Sequence, residues 1–330
     1  MRPGLLAALV LSCGAPCVAS SVASAATAVP EQATSFRRAA QLELGERPER
    51  AEAGRYLVLA APSPDLPSGL AQRLADLLVR FESAYGRMWS ALSPPQRAAR
   101  HAQVTVYVLA GSDSFRRLRS TLGPDPRFET GGAYIPECGC LAVAVESRLE
   151  RVVQAALVHE AAHLLNDELL DPGPVSAWLN EGLAQYAQYS ALSDSGDVLL
   201  GRLDPGSQLA MKQPDGSELV YQFVPRKSLV YLFGQFRRDP RLSLGPLLDI
   251  RSARQFYGEG AQLNYARSWT LVHLMAEGAL RRKGPLRPYL VDYAKLEQRG
   301  IGGRQELLDT LGLSLEDLDS AWYAHCRKLK

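Results

Sequence analysis

Apolar residues recur at helical spacing through Leu70, Leu74, Leu77, Leu78, Phe81, Tyr85 and Met88, which predicts a long amphipathic helix. Two short runs flank it. Tyr56-Leu57-Val58-Leu59 and Val104 to Leu109 are apolar, β-rich and closed by turn residues, as strands are. Ser112 to Leu122 reads as a short helix ended by Gly123-Pro124. Residues 131–145 read as a β-hairpin or edge strand with a turn near Gly139. Ser147 and Glu150 have the spacing of a capping box, opening a helix that runs through Val152, Val153, Ala156, Leu157, Glu160, His163 and Leu164. Asp171-Pro172-Gly173-Pro174 breaks it, and a second helix spans about Ala177 to Tyr189.

The rest of the chain is less patterned. Residues 29–54 are polar and rich in Ala, Glu and Arg, and read as a flexible leader, partly disordered or a loose helix, with order starting at Arg55. Residues 193–227 hold many Gly, Pro and Asp residues and read as an insertion or long loop between 55–192 and a helical C-terminal part, 228–330. The fold class expected is α+β: a small mixed β-sheet, a long helix, a pair of helices carrying the chemistry, and a helical C-terminus.

Composition narrows the function. The chain has 330 residues, 46% apolar and 22% charged, which excludes disorder and a collagen-like or polytopic membrane protein. Lys and Arg number 37 against 35 Asp and Glu, so no basic excess points to nucleic acid. Residues 1–28 have the order of a secretory signal: Arg2, the apolar run Leu5 to Leu11, then Ala26-Thr27-Ala28, with cleavage expected after Ala28. A lipoprotein signal acylated at Cys13 fits less well, because Leu11 is bulky where a small residue is needed. No other stretch is suited to span a membrane. Cleavage leaves Cys138, Cys140 and Cys326, an odd number for an exported chain, which leaves one thiol free or paired between chains, with a disulfide from Cys326 to either of the others as one option.

The chemistry lies in His159-Glu160-Ala161-Ala162-His163. Four residues of helix turn about 400°, so both imidazoles leave one face and reach one metal ion. Zn²⁺ suits imidazole, and a catalytic site takes about three protein ligands plus a water. Glu160 is placed to act as general base on that water. A third ligand is expected from Glu181 in Trp178-Leu179-Asn180-Glu181-Gly182-Leu183-Ala184-Gln185-Tyr186, if that helix returns antiparallel. The competing reading of Glu181 is a solvated or capping carboxylate, which the flanking Trp and Leu disfavour.

These two segments resemble the gluzincin metallopeptidases, especially the exported bacterial families of the peptidase-MA-like type. The resemblance extends over most of residues 55–327, although the spacing from His163 to Glu181 is slightly short. It implies one zinc held by His159, His163 and Glu181, Glu160 as base, and hydrolysis of a peptide or protein substrate. It also implies a downstream oxyanion donor, for which Tyr265 in Tyr265-Ala266-Arg267-Ser268-Trp269 is the first candidate and His273 the second. His101 and His325 have no motif context and read as surface or packing residues. The alternative to an enzyme is a catalytically silent zinc-binding or interaction module of the cell envelope with the same shape.

Overall fold

The computed structural model describes residues 29–62, 68–90, 101–121, 132–145, 150–170, 175–193, 195–204, 208–212, 218–222, 225–239, 242–280 and 283–329. The expected signal sequence of residues 1–28 with its Cys13, Ser147 of the expected capping box, and the expected 171–174 break lie outside them.

The described elements run α1 (Val29–Leu44), β1 (Glu49–Ala53), β2 (Tyr56–Ala60), α2 (Leu70–Met88), β3 (Val104–Leu109), α3 (Ser112–Ser120), β4 (Gly132–Ile135), β5 (Cys140–Ala144), α4 (Glu150–Leu170) and α5 (Ala177–Gln188). Then come β6 (Ser190–Leu192), β7 (Val198–Leu203), β8 (Gln208–Lys212), β9 (Glu218–Gln222), α6 (Pro225–Arg238), α7 (Gly245–Leu248), α8 (Ala253–Phe256) and α9 (Ala261–Glu277). The chain closes with β10 (Ala279–Leu280), β11 (Gly284–Pro285), α10 (Arg287–Gln298), α11 (Arg304–Leu311) and α12 (Leu315–Lys328). This is the α+β class expected.

One mixed sheet, in the order β1-β2-β3-β5-β4, organises the N-terminal half. β2, β3 and β5 are parallel neighbours, while β1 and β4 pair antiparallel at the two edges. Strand alternation sorts side chains onto two faces. Val104, Val106, Val108, Leu141 and Val143 face the main core, which α2, α4 and α5 complete. Tyr107, Leu109, Cys140, Ala142 and Ala144 face a second core, closed by α1 and α3.

Two expectations need correcting. The stretch 29–54 is built into the fold: α1 seals the second core with Phe36, Ala40 and Leu44, one residue every fourth position. Three apolar side chains among many charges make a narrow stripe, which the composition masks. β1 is strand through its partner, meeting β2 across the two-residue turn Gly54-Arg55, where Gly54 takes φ +54°. The stretch 193–227 likewise carries β7, which pairs with β6 and packs on α2, α5 and α9, and the hairpin β8–β9. Its apolar runs are only two or three residues long and sit between Gly, Pro and Asp. No helix among the described residues is long and apolar enough to cross a membrane.

Candidate metal centre

α4 is buried continuously from Leu157 to Asn166. The sheet covers one side of it and α5 the other, so its middle turns need no polar face. Within that buried stretch lie His159, Glu160 and His163, at 1%, 4% and 3% exposure. α5 runs back along α4: Asn180 meets His163 and Asn166, while Gln188, two turns later, meets His159. The antiparallel return brings Glu181, which is fully buried, to the two imidazoles. Its Oε2 lies 3.6 Å from His159 Nε2 and its Oε1 lies 3.6 Å from His163 Nε2. α9 backs α5 closely, because Gly182 has no side chain: a Cβ there would stand 2.8 Å from the Ser268 carbonyl oxygen.

Hydrogen bonds set the protonation of the rings. Asn166 Nδ2 reaches the Asn180 backbone carbonyl, which only accepts, and donates to Asn180 Oδ1 at 2.8 Å. Asn180 Oδ1 is therefore an acceptor, so His163 Nδ1, 3.1 Å away, carries the hydrogen. Its Nε2 is then an unprotonated lone pair. Gln188 Oε1 holds His159 Nδ1 in the same way at 3.0 Å. The two Nε2 atoms face each other at 3.1 Å with no hydrogen between them. Two lone pairs and a carboxylate converge, all ligand atoms within 4.8 Å of one another. Such a cluster calls for a cation. His₂Glu is a donor set suited to zinc in an open site, and each His has an amide oxygen on its far nitrogen, as metal-binding imidazoles do. The His159-His163-Glu181 group can hold a metal ion.

Burial sets the charges. It lowers the pKa of both imidazoles, with Glu160 pulling His159 back up and Glu181 doing so for His163. Both rings are thus kept neutral, the form that ligates. Burial pushes the Glu181 carboxyl up to about 7, opposed by His163 and by a hydrogen bond from Tyr257. Glu160 is also pushed up to about 7 by burial, with His159 opposing and Glu181 adding.

Glu160 sits beside the ligands against the edge strand. A Cβ on Gly132 would come within 2.8 Å of Glu160 Cγ, so β4 must carry glycine at that point. The Tyr134 backbone hydrogen-bonds the Glu160 carboxylate, while Oε2 is buried with no hydrogen-bond partner among the described residues.

The two downstream candidates, Tyr265 and His273, both lie on α9. Tyr265 on α9 is buried, its ring edge-on to Phe256 at 5.1 Å and tilted against Tyr257 at 6.2 Å. A second phenol, Tyr257 at the end of α8, donates its hydroxyl to Glu181 Oε1 at 2.5 Å. His273 engages both ring nitrogens elsewhere, Nδ1 with His325 Nε2 at 3.0 Å and Nε2 with the Gly201 carbonyl at 3.2 Å. His325, read as a surface or packing residue, is thus the partner of a buried imidazole. Asn166, Asn180, Gln188 and Tyr257 drew no sequence expectation of a role; none stands in a motif spacing, and only Asn180 falls within a ligand motif. Compared with models of known families and with curated proteins, the chain matches none.

Proposed function

We propose that the chain is a zinc-dependent metallopeptidase of the gluzincin type, acting on peptide or protein substrates. One observation carries the reading: the Nε2 lone pairs of His159 and His163, 3.1 Å apart, meet a buried Glu181 whose Oε2 has no hydrogen-bond partner among the described residues. A zinc ion held by these three side chains supplies a Lewis acid and lowers the pKa of a water toward ~7. The remaining work falls to the chain. Asn180 and Gln188 hold the two rings with Nε2 toward the ion. Tyr257 orients Glu181. Glu160, steadied by β4, takes a proton at Oε2 from the attacking water and returns it to the departing amine nitrogen. A general base has no part in holding the metal, and that makes the reading separable from a silent zinc-binding module. The order Arg2, Leu5 to Leu11 and Ala26-Thr27-Ala28 supports export, with a mature chain starting near Val29.

Digestion of a broad peptide library by the zinc-loaded chain tests the enzyme. Cleavage that falls by 10²–10⁴-fold in Glu160→Gln, with zinc retained, supports it. Zinc bound stoichiometrically with no cleavage of any peptide assigns the chain to the silent module instead. Intact mass of the exported protein checks the processing site; a chain beginning at a lipidated Cys13 would overturn it.

A further inference from the structure

Cys138 lies in the turn that joins β4 to β5 and Cys140 opens β5, both in the second core, on the sheet face opposite α4. Cys326 belongs to the main core and the other two to the opposite face of the sheet, and all three are free thiols. The pairing with Cys326 is therefore corrected: the sheet separates them. Between the two near cysteines, Gly139 takes φ +59°, and a Cβ there would stand 2.4 Å from the His101 ring. Only glycine allows this turn, which brings the Cys140 sulfur back onto the Cys138 backbone. The Cys140 thiol donates to the Cys138 carbonyl at 3.4 Å, and the Cys138 thiol to the Ile135 carbonyl at 3.8 Å. Arg37 of α1 donates to the Cys138 carbonyl through Nη2 at 3.0 Å, placing a guanidinium beside the pair.

We propose that Cys138 and Cys140 are a redox-active dithiol that closes to a disulfide within the turn by exchange with a small-molecule disulfide. The two thiols are unequal, as an attacking and a resolving thiol should be. Hydrogen bonding from Cys138 and the Arg37 guanidinium favour the Cys140 thiolate against its burial, whereas the Cys138 thiol is pushed up by Cys140 and by burial. Cys140 attacks one sulfur of the small disulfide, whose S–S bond breaks and releases a thiolate. Cys138 gives its proton to that thiolate and attacks the Cys140 sulfur, releasing the second thiolate, which takes up the proton Cys140 lost. Two protein thiols are oxidised and one disulfide is reduced to two thiols. Both sulfurs are covered, at 5% and 0% exposure, so exchange follows local opening of the turn and is slow. Cys326 is an internal reference, buried and pushed up to about 12.

Equilibration of the full chain in graded mixtures of reduced and oxidised glutathione, then acid quench, unfolding, alkylation and peptide mapping, reads the pair directly. With oxidised glutathione in excess, the peptide holding Cys138 and Cys140 should lose both alkyl groups and be two hydrogen masses lighter, with Cys326 still alkylated. Cys138→Ser should accumulate a glutathione mixed disulfide at Cys140, and Cys140→Ser should leave Cys138 largely unmodified. Alkylation of both cysteines across the whole range, or a bond from either to Cys326, would overturn the proposal.

Discussion

Replacing Asn180 by Leu keeps the branched frame and swaps the amide oxygen and nitrogen for two methyl groups. That oxygen accepts from His163 Nδ1 at 3.1 Å and from Asn166 Nδ2 at 2.8 Å. Asn166 keeps its bond to Tyr85 and a long contact to the Asn180 backbone carbonyl, whereas the His163 N–H loses its described partner. An unsatisfied buried donor costs about 1–3 kcal/mol. Asn180 is half-buried, so water reaches part of the gap and the lower end applies, about 1 kcal/mol for each donor. The larger effect is on the metal. The lost acceptor frees the His163 ring to rotate and to change tautomer, which puts a hydrogen on the atom that must ligate. Outer partners of ligating His are worth 10–100-fold in affinity, which is about 1.4–2.7 kcal/mol. Competition against a zinc-binding chromophore measures it, with the fold checked by circular dichroism. Asn180→Leu should bind zinc 10–100-fold more weakly, and Asn180→Asp, which keeps an acceptor, should bind at least as tightly as wild type. A folded Asn180→Leu with wild-type affinity would refute the assignment of His163 Nε2 as a ligand atom.

The other expectations follow from single contacts. Gly132→Ala sets a methyl 2.8 Å from Glu160 Cγ in a packed site, so turnover should fall by at least ~10²-fold with zinc content unchanged; unchanged kcat in a peptide assay would refute the role given to β4. Tyr257→Phe removes the hydrogen bond to Glu181 and should weaken zinc binding by ~10-fold in the same chromophore assay, while Tyr265→Phe should not. The reverse order would contradict the role given to Tyr257. Burial lowers His325 to about 4, with His273 and Lys328 adding, and His273 is lowered by burial against Glu277. The unfolded chain then binds more protons between about pH 4 and 6.5, so stability present above that window is lost as pH falls through it. Between pH 7 and pH 5 the urea midpoint of the zinc-free chain should shift less favourably in wild type than in His325→Gln, the shared contributions of His159, His163, Glu160 and Glu181 cancelling in the comparison; equal shifts would show that the pair does not contribute.

The His159-His163 pair was legible because helical geometry alone puts i and i+4 on one face, and Glu181 because it is a lone carboxylate among Trp and Leu on the next helix, which packs antiparallel on α4. The sheet strands from Tyr56 and Val104 were legible through β-branched and aromatic runs. Tyr257 was not, since it arrives from a four-residue helix with no spacing relation to α4 or α5. Tyr265, on the longer, periodic α9, drew the expectation of an oxyanion donor, a different role from the hydroxyl that Tyr257 gives to Glu181. The amides that orient the rings were illegible for a related reason: Asn and Gln carry no periodic signal, and their role exists only once two helices meet. α1 was hidden because its apolar stripe of Phe36, Ala40 and Leu44 is narrower than the charge around it.

The metal centre itself is tested most directly by zinc-to-protein stoichiometry after exhaustive dialysis, measured by mass spectrometry on wild type and His163→Ala together. One zinc per wild-type chain and almost none in the variant is the result expected from a His159-His163-Glu181 site. A wild-type chain that retains no zinc, or a variant that retains all of it, would contradict that site.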